Sequence, residues 1–158
     1  MTDIPASTPP GRDSTKIISR TKFVAAPAQA IFDVLADPAR HRDFDGSGSV
    51  QKAHSDAPAR LSLGATFGMD MKIGMKYKIT NTVVEFDEPR LIGWRHFGDH
   101  IWRYILDPVD GGTNVTEQFD WKDNKSHLML KVMGAFNKNA KSIEATLDRL
   151  ADLLAPGT

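Results

Sequence analysis

The stretch SHLMLKVMGAFNKNAKSIEATLDRLADLL, residues 126–154, decides the fold. Met129, Met133, Phe136, Ala140, Ile143, Leu147, Leu150 and Leu154 recur at alternating intervals of four and three. That spacing is one sustained apolar stripe along an α-helix. At 1.5 Å per residue the helix would be roughly 40 Å long. Ser126 is a suitable N-cap. Gly134 lies inside the helix, at a cost of about 1 kcal/mol relative to alanine. No earlier segment is long enough to cover the face of a sheet, so this helix must do so.

What precedes it reads as strands. TFGMDMKI, residues 66–73, sets Phe67, Met69, Met71 and Ile73 on one face and Gly68, Asp70 and Lys72 on the other. SVQKAH comes before it; KYKITNTVVEF, RLIGWRHF, HIWRYIL and TNVTEQFDW come after. The breaks carry turn chemistry at Gly74, at Asp87 to Pro89, at Gly98-Asp99 and at Asp110-Gly111-Gly112. Short breaks between successive strands imply an antiparallel meander. At the front, KIISRTKFVAA is a further strand, with Ile17, Ser19, Thr21 and Phe23 on one candidate face and Ile18 and Val24 on the other. Pro27 suits the first turn of a short amphipathic helix, PAQAIFDVLA. Asp37-Pro38 ends it, and PARHRDF makes a second. The predicted class is therefore α+β: a curved antiparallel sheet of about seven strands gripping a long C-terminal helix, with two short helices after the first strand.

Composition bounds the function. The chain of 158 residues reads as one domain over residues 16–155, preceded by a flexible Pro/Ser/Thr-rich tail over residues 1–15. That tail has no hydrophobic core of a signal peptide. There are no cysteines, which excludes disulfides and thiolate metal sites and points to a reducing, cytoplasmic setting. Twenty basic and twenty acidic residues balance, which argues against a nucleic-acid partner. No apolar run approaches membrane-spanning length. No phosphate-cradling glycine motif is present, and no cofactor is expected. His96 and His100 flank a turn without further ligands, so no metal is expected either.

Two stretches, FVAAPAQAIFDVLADPARHRDF and WRYILDPVDGGTNVTEQFDW, resemble the START-like, or Bet v 1-like (SRPBCC), superfamily. Within it they are most similar to the bacterial polyketide cyclase/dehydrase-like group. The first resembles that family's strand, proline, helix and Asp-Pro entry, and the second its final hairpin. The resemblance covers residues 17–154 and implies a helix-grip fold with a deep cavity between sheet and helix. It implies hydrophobic ligands such as lipids, sterols or aromatic polyketides, and in some members cyclisation or dehydration. Phe44 departs from the tryptophan expected in many relatives.

The inward strand phases name a candidate lining: Phe67, Met69, Met71, Tyr77, Asn81, Trp94, His96, Trp102, Tyr104, Glu117 and Phe119 from the sheet, with Met129, Met133 and Phe136 from the helix. Methionine and aromatic side chains with a few convergent polar groups suit a small-molecule site, and they equally suit a plain core. The turn lengths predict Tyr104 opposite Glu117, Trp94 opposite Tyr104, Asn81 opposite His96, and Met69 opposite Asn81. Lys76, Lys78, Arg95, Arg103, Gln118 and Asp120 fall on the solvated face.

Three functions fit. A binding protein would take a hydrophobic or aromatic small molecule. An enzyme of cyclase or dehydratase type would use Glu117 or His96 as general base, with Tyr104 and Asn81 donating to an enolate oxygen. A protein-interaction module would have a filled core and an exposed apolar patch. Oligomeric state, monomer or homodimer, stays open.

Overall fold

A computed structural model describes residues 16–95, 99–122 and 135–155, the side chains of 135–137 excepted. The expected tail, Ser126, Gly134 and about the first third of the expected long helix lie outside those residues.

The chain runs β1 (Ile17–Val24), α1 (Ala28–Leu35), a 3-10 turn (Pro38–Arg40), α2 (His41–Phe44), β2 (Val50–Ala53), β3 (Thr66–Ile73), β4 (Met75–Asp87), β5 (Leu91–Arg95), β6 (Ile101–Val109), β7 (Gly112–Asp120) and α3 (Ala135–Leu153). The seven strands form one sheet in the order β1-β7-β6-β5-β4-β3-β2, antiparallel throughout. This is the curled open sheet and C-terminal helix of a helix-grip fold. Asp37 closes the break between α1 and α2, its carboxylate accepting from the Ala39 amide at 3.0 Å.

One apolar cluster fills the concave side. Ile31, Phe32 and Leu35 of α1, Ile18 and Val24 of β1, and Ile143, Leu147 and Leu150 of α3 all belong to it. Of the two phases open for β1, the Ile18/Val24 phase therefore faces the core, while Phe23 is 47% exposed.

Some registers differ from the turn-length reading. Tyr104 pairs with Glu117 as predicted, and Val83 pairs with Trp94. Trp94, however, lies opposite Trp102, and Ile92 opposite Tyr104. Met69 lies opposite Ile79, and Phe67 opposite Asn81. The cause is turn size. Gly74, at φ 69°, reverses the chain alone, with Ile73 directly opposite Met75. The β5–β6 connection takes residues 96–100 rather than three. Both slips are by two residues, so every side chain keeps its face.

The convex face holds the larger correction. Arg103, Gln118 and Asp120 are buried, not solvated. Arg103 lies in a row that runs Glu85, Gly93, Arg103, Gln118, Ser19 across five strands. Its guanidinium donates to Glu85 Oε1 at 2.6 Å, and to Gln118 Oε1 and Asp120 Oδ2 at 3.1 Å each. A bulge at Val84 turns Glu85 outward, and the missing side chain of Gly93 lets its carboxylate cross β5. These charges are buried because each satisfies the others.

α3 rests on β1, β7 and α2. Arg20 pairs with Glu144 at 3.2 Å and Lys22 with Asp148 at 2.5 Å, tying the edge strand to the helix. The loop after α2 closes on it directly: the Gly46 amide donates to Thr146 Oγ1 at 2.9 Å. A Cβ on Gly46 would collide with the Thr146 nitrogen and the Ser142 carbonyl oxygen, both backbone atoms of α3. Gly46→Ala therefore pushes the helix off the loop. The expected loss is about 1–3 kcal/mol of stability, read as a lower urea midpoint.

Candidate functional site

Because α3 sits over one edge of the sheet, the concave surface of β3–β6 is left partly uncovered. A cavity of about 270 Å³ remains there. Its walls come from Met69 and Met71 of β3, Tyr77, Ile79 and Asn81 of β4, Trp94 of β5, Trp102 and Tyr104 of β6, and Glu117 and Phe119 of β7. α2 adds His41 and Phe44, and α3 adds Lys138, Asn139, Ser142 and Thr146. Exposed Ile73 and Lys138 mark its mouth.

Of the lining read from the sequence, Met69, Met71, Tyr77, Asn81, Trp94, Trp102, Tyr104, Glu117 and Phe119 meet around this space. Phe67 does not reach it. It is 1% exposed and packs edge-on against His41 and Trp94, at 5.4 and 5.7 Å between ring centroids. His96, Met129, Met133 and the Phe136 side chain lie outside what is described.

At the centre of the wall stands a buried carboxyl. Tyr104 Oη donates to Glu117 Oε1 at 2.9 Å, and Glu117 Oε2 is buried with no hydrogen-bond partner among the described residues. Burial raises the Glu117 pKa well above the ordinary carboxylate range, and the negative charge of Asp45 adds to it. The bond from Tyr104 acts in the opposite direction without offsetting the burial. Burial, followed by the neighbouring carboxylate, also pushes the Tyr104 phenol up. Both groups therefore hold their protons to higher pH than an ordinary carboxyl or phenol. In the protonated form, with Oε1 occupied by Tyr104, the carboxyl proton sits on Oε2, which has no acceptor among the described residues.

The sequence reading missed two histidines. His41 is buried and stacks on Trp94 at 4.9 Å and 22°. Its Nε2–H donates to the Leu35 carbonyl at 2.9 Å, which leaves Nδ1 as the acceptor of a neutral ring. Burial lowers its pKa to about 4, against the opposing pull of that hydrogen bond. His100 packs on Phe119 at 5.0 Å and is lowered to about 4 by burial as well. One sequence signal pointed to α2: His41 and Phe44 stand three apart, the spacing that puts both on one helical face. Phe44 meets Tyr104 edge-on at 6.3 Å.

The arrangement defines a helix-grip fold with an internal cavity whose sheet wall is rich in aromatic and methionine side chains and carries a buried acid–phenol pair. The chain belongs to the family described as "Polyketide cyclase / dehydrase and lipid transport", which matches residues 15–155. It is similar to the protein Rv0088 of Mycobacterium tuberculosis, 40% identical over 154 residues, which cover 94% of this chain and 66% of that one. The chain thus spans just under two thirds of the length of that relative. Among solved structures it is similar to protein NE0264 from Nitrosomonas europaea, with a TM-score of 0.71 and 15% identity over 90% of this chain and 96% of that one. It is also similar to the Aha1 dimer from Colwellia psychrerythraea, with a TM-score of 0.59 and 14% identity over 90% and 98%. These two likenesses are of fold.

The two lowered histidines make stability pH-dependent. A depressed pKa contributes stability that is complete above about pH 6.5 and is lost as pH falls toward about 4. For His41 the full effect is about 3 kcal/mol. The raised Glu117 acts in the opposite sense, losing stability as pH rises from its unfolded value. His41→Gln keeps a donor for the Leu35 carbonyl and removes the titration. Urea midpoints measured from pH 7 to pH 4 should fall clearly less in the variant than in the parent, because His100 alone is then left against the opposing titration of Glu117.

Proposed function

We propose that the protein binds a small, largely apolar, ring-containing molecule in this cavity, oriented by one hydrogen bond from Glu117 to an acceptor oxygen. The observation that supports this most is Glu117 Oε2, a buried atom with no partner among the described residues, on a side chain that lines an open, aromatic-walled space. A buried polar group left unsatisfied costs about 1–3 kcal/mol, which a ligand oxygen would recover. The cavity is at or just below the lower end of the range for small-molecule sites, roughly 300–1,000 Å³. That size suits one or two fused rings better than a long lipid chain. Trp94, Trp102 and Phe119 supply flat faces, and the methionines adapt to irregular outlines. The ligand-binding unit is the whole segment 16–155, and the absence of cysteine fits the cytoplasm. An open cavity weighs against the interaction-module reading, whose core would be filled.

A neutral naphthyl ketone such as prodan, whose emission reports polarity, tests the proposal. The expected result is saturable 1:1 binding with a blue shift. Affinity should fall about tenfold per pH unit once pH exceeds the Glu117 pKa. Glu117→Gln retains both an acceptor for Tyr104 and a donor for the ketone. Its affinity should stay within about threefold of the parent at low pH and lose the pH dependence. A pH-dependent Gln variant, or no saturable binding, would sink the hydrogen-bond assignment.

The same orphan oxygen favours a second reading, in which Glu117 moves a proton at the carbon next to a bound carbonyl and Asn81 steadies the oxygen. Exchange of the α-protons of α-tetralone into D₂O, followed by NMR, separates the two readings. A catalyst loses roughly 10²–10⁴ in exchange rate on Glu117→Gln while binding persists. A binding protein shows no accelerated exchange at all.

A further inference from the structure

The β3–β4 hairpin ends in an unusual tip. Ile73 and Met75 face each other across Gly74 and are 50% and 73% exposed. Immediately behind them Lys72 lies directly opposite Lys76, and Lys78 follows on the same face. All three lysines are exposed, as are Lys138 and Lys141 on α3. None of these five makes an ion pair among the described residues, whereas Lys22, Arg40, Arg60, Arg90 and Arg95 each hold a carboxylate. The chain as a whole carries no net charge, so the positive rim is a local feature. Two like charges directly opposed on a hairpin repel one another. Two large apolar side chains held in water beside them add a second cost. Both costs vanish against one kind of surface, which is anionic at its face and apolar just beneath.

We propose that this tip docks on an anionic lipid bilayer. Ile73 and Met75 enter the headgroup boundary, and Lys72, Lys76 and Lys78 rest against lipid phosphates. Ile73 also lines the cavity, and Lys138 stands at the same mouth. Docking at the tip therefore sets the opening against the membrane, and an apolar molecule passes between bilayer and cavity without crossing bulk water. This passage rests on the ligand-binding reading above; the docking does not require it.

Co-sedimentation of the full chain with vesicles tests the docking, independently of any ligand. Vesicles of 70% phosphatidylcholine and 30% phosphatidylserine should bind the protein at 50 mM NaCl, and pure phosphatidylcholine should not. Raising NaCl to 500 mM should release it. Lys72→Ala with Lys76→Ala should weaken binding more than tenfold, and Met75→Ser about fivefold. Neither variant should lower the parent's urea midpoint, because these side chains are exposed and the substitutions remove a repulsion or an exposed apolar group. Failure to bind the anionic vesicles overturns the proposal. So does binding that the lysine substitutions abolish but Met75→Ser leaves unchanged, which would assign the tip to an acidic protein instead of a bilayer. If prodan binds and the vesicles do not, the cavity reading survives and the docking alone falls.

Discussion

The cavity exists because of where α3 comes to rest. A sheet of seven curled strands presents a concave apolar face wider than one helix can cover. α3 is drawn to one side of it. Arg20 and Lys22 of the edge strand hold Glu144 and Asp148, and Gly46 lets the loop after α2 touch the helix backbone. With the helix committed to β1 and β7, the surface of β3, β4 and β5 has no helix of comparable length over it among the described residues. The aromatic groups of α2 cover part of it through His41 and Phe44, and the rest remains open.

That geometry explains why a carboxyl survives in the interior. A charged Glu117 would be costly among Trp94, Trp102 and Phe119, so its pKa is raised and one of its oxygens accepts from Tyr104. The convex face solves the same problem differently. There Arg103 is as buried as Glu117, yet Glu85, Gln118 and Asp120 surround it, and Lys122, 3.5 Å from Asp120, meets the second carboxylate. One buried polar group is fully satisfied and the other has an idle oxygen. Satisfied networks serve structure, whereas an unsatisfied group facing a cavity breaks the local rule, as functional sites do.

Much of the cavity wall was legible because strand alternation survives register error. Met69 and Trp94 acquired different cross-strand partners from those the turn lengths implied, but the slips were by two, so both still point inward. The Tyr104–Glu117 pairing was readable, although the hairpin turns on Asp110-Gly111 alone, with Val109 already opposite Gly112, rather than on a loop from Pro108 to Gly112. The Arg103 cluster was not. Its partners come from two other strands, β4 and β7, and one of them is turned outward by a bulge that no local pattern announces. His41 was equally hidden, because a histidine on a four-residue helix shows nothing in sequence of the tryptophan it will stack against.

The same logic separates Met69 and Met71 from Met75, three methionines within seven residues of one hairpin. The first two fall on the inward phase and line the cavity. Met75 continues that phase past the turn, where no helix or loop among the described residues stands over it, and so it ends in water. The hairpin is thus apolar along one continuous stripe from the cavity wall to its tip. The stripe begins inside the cavity and ends beyond the protein's edge, with Lys72, Lys76 and Lys78 on the opposite face of the same hairpin.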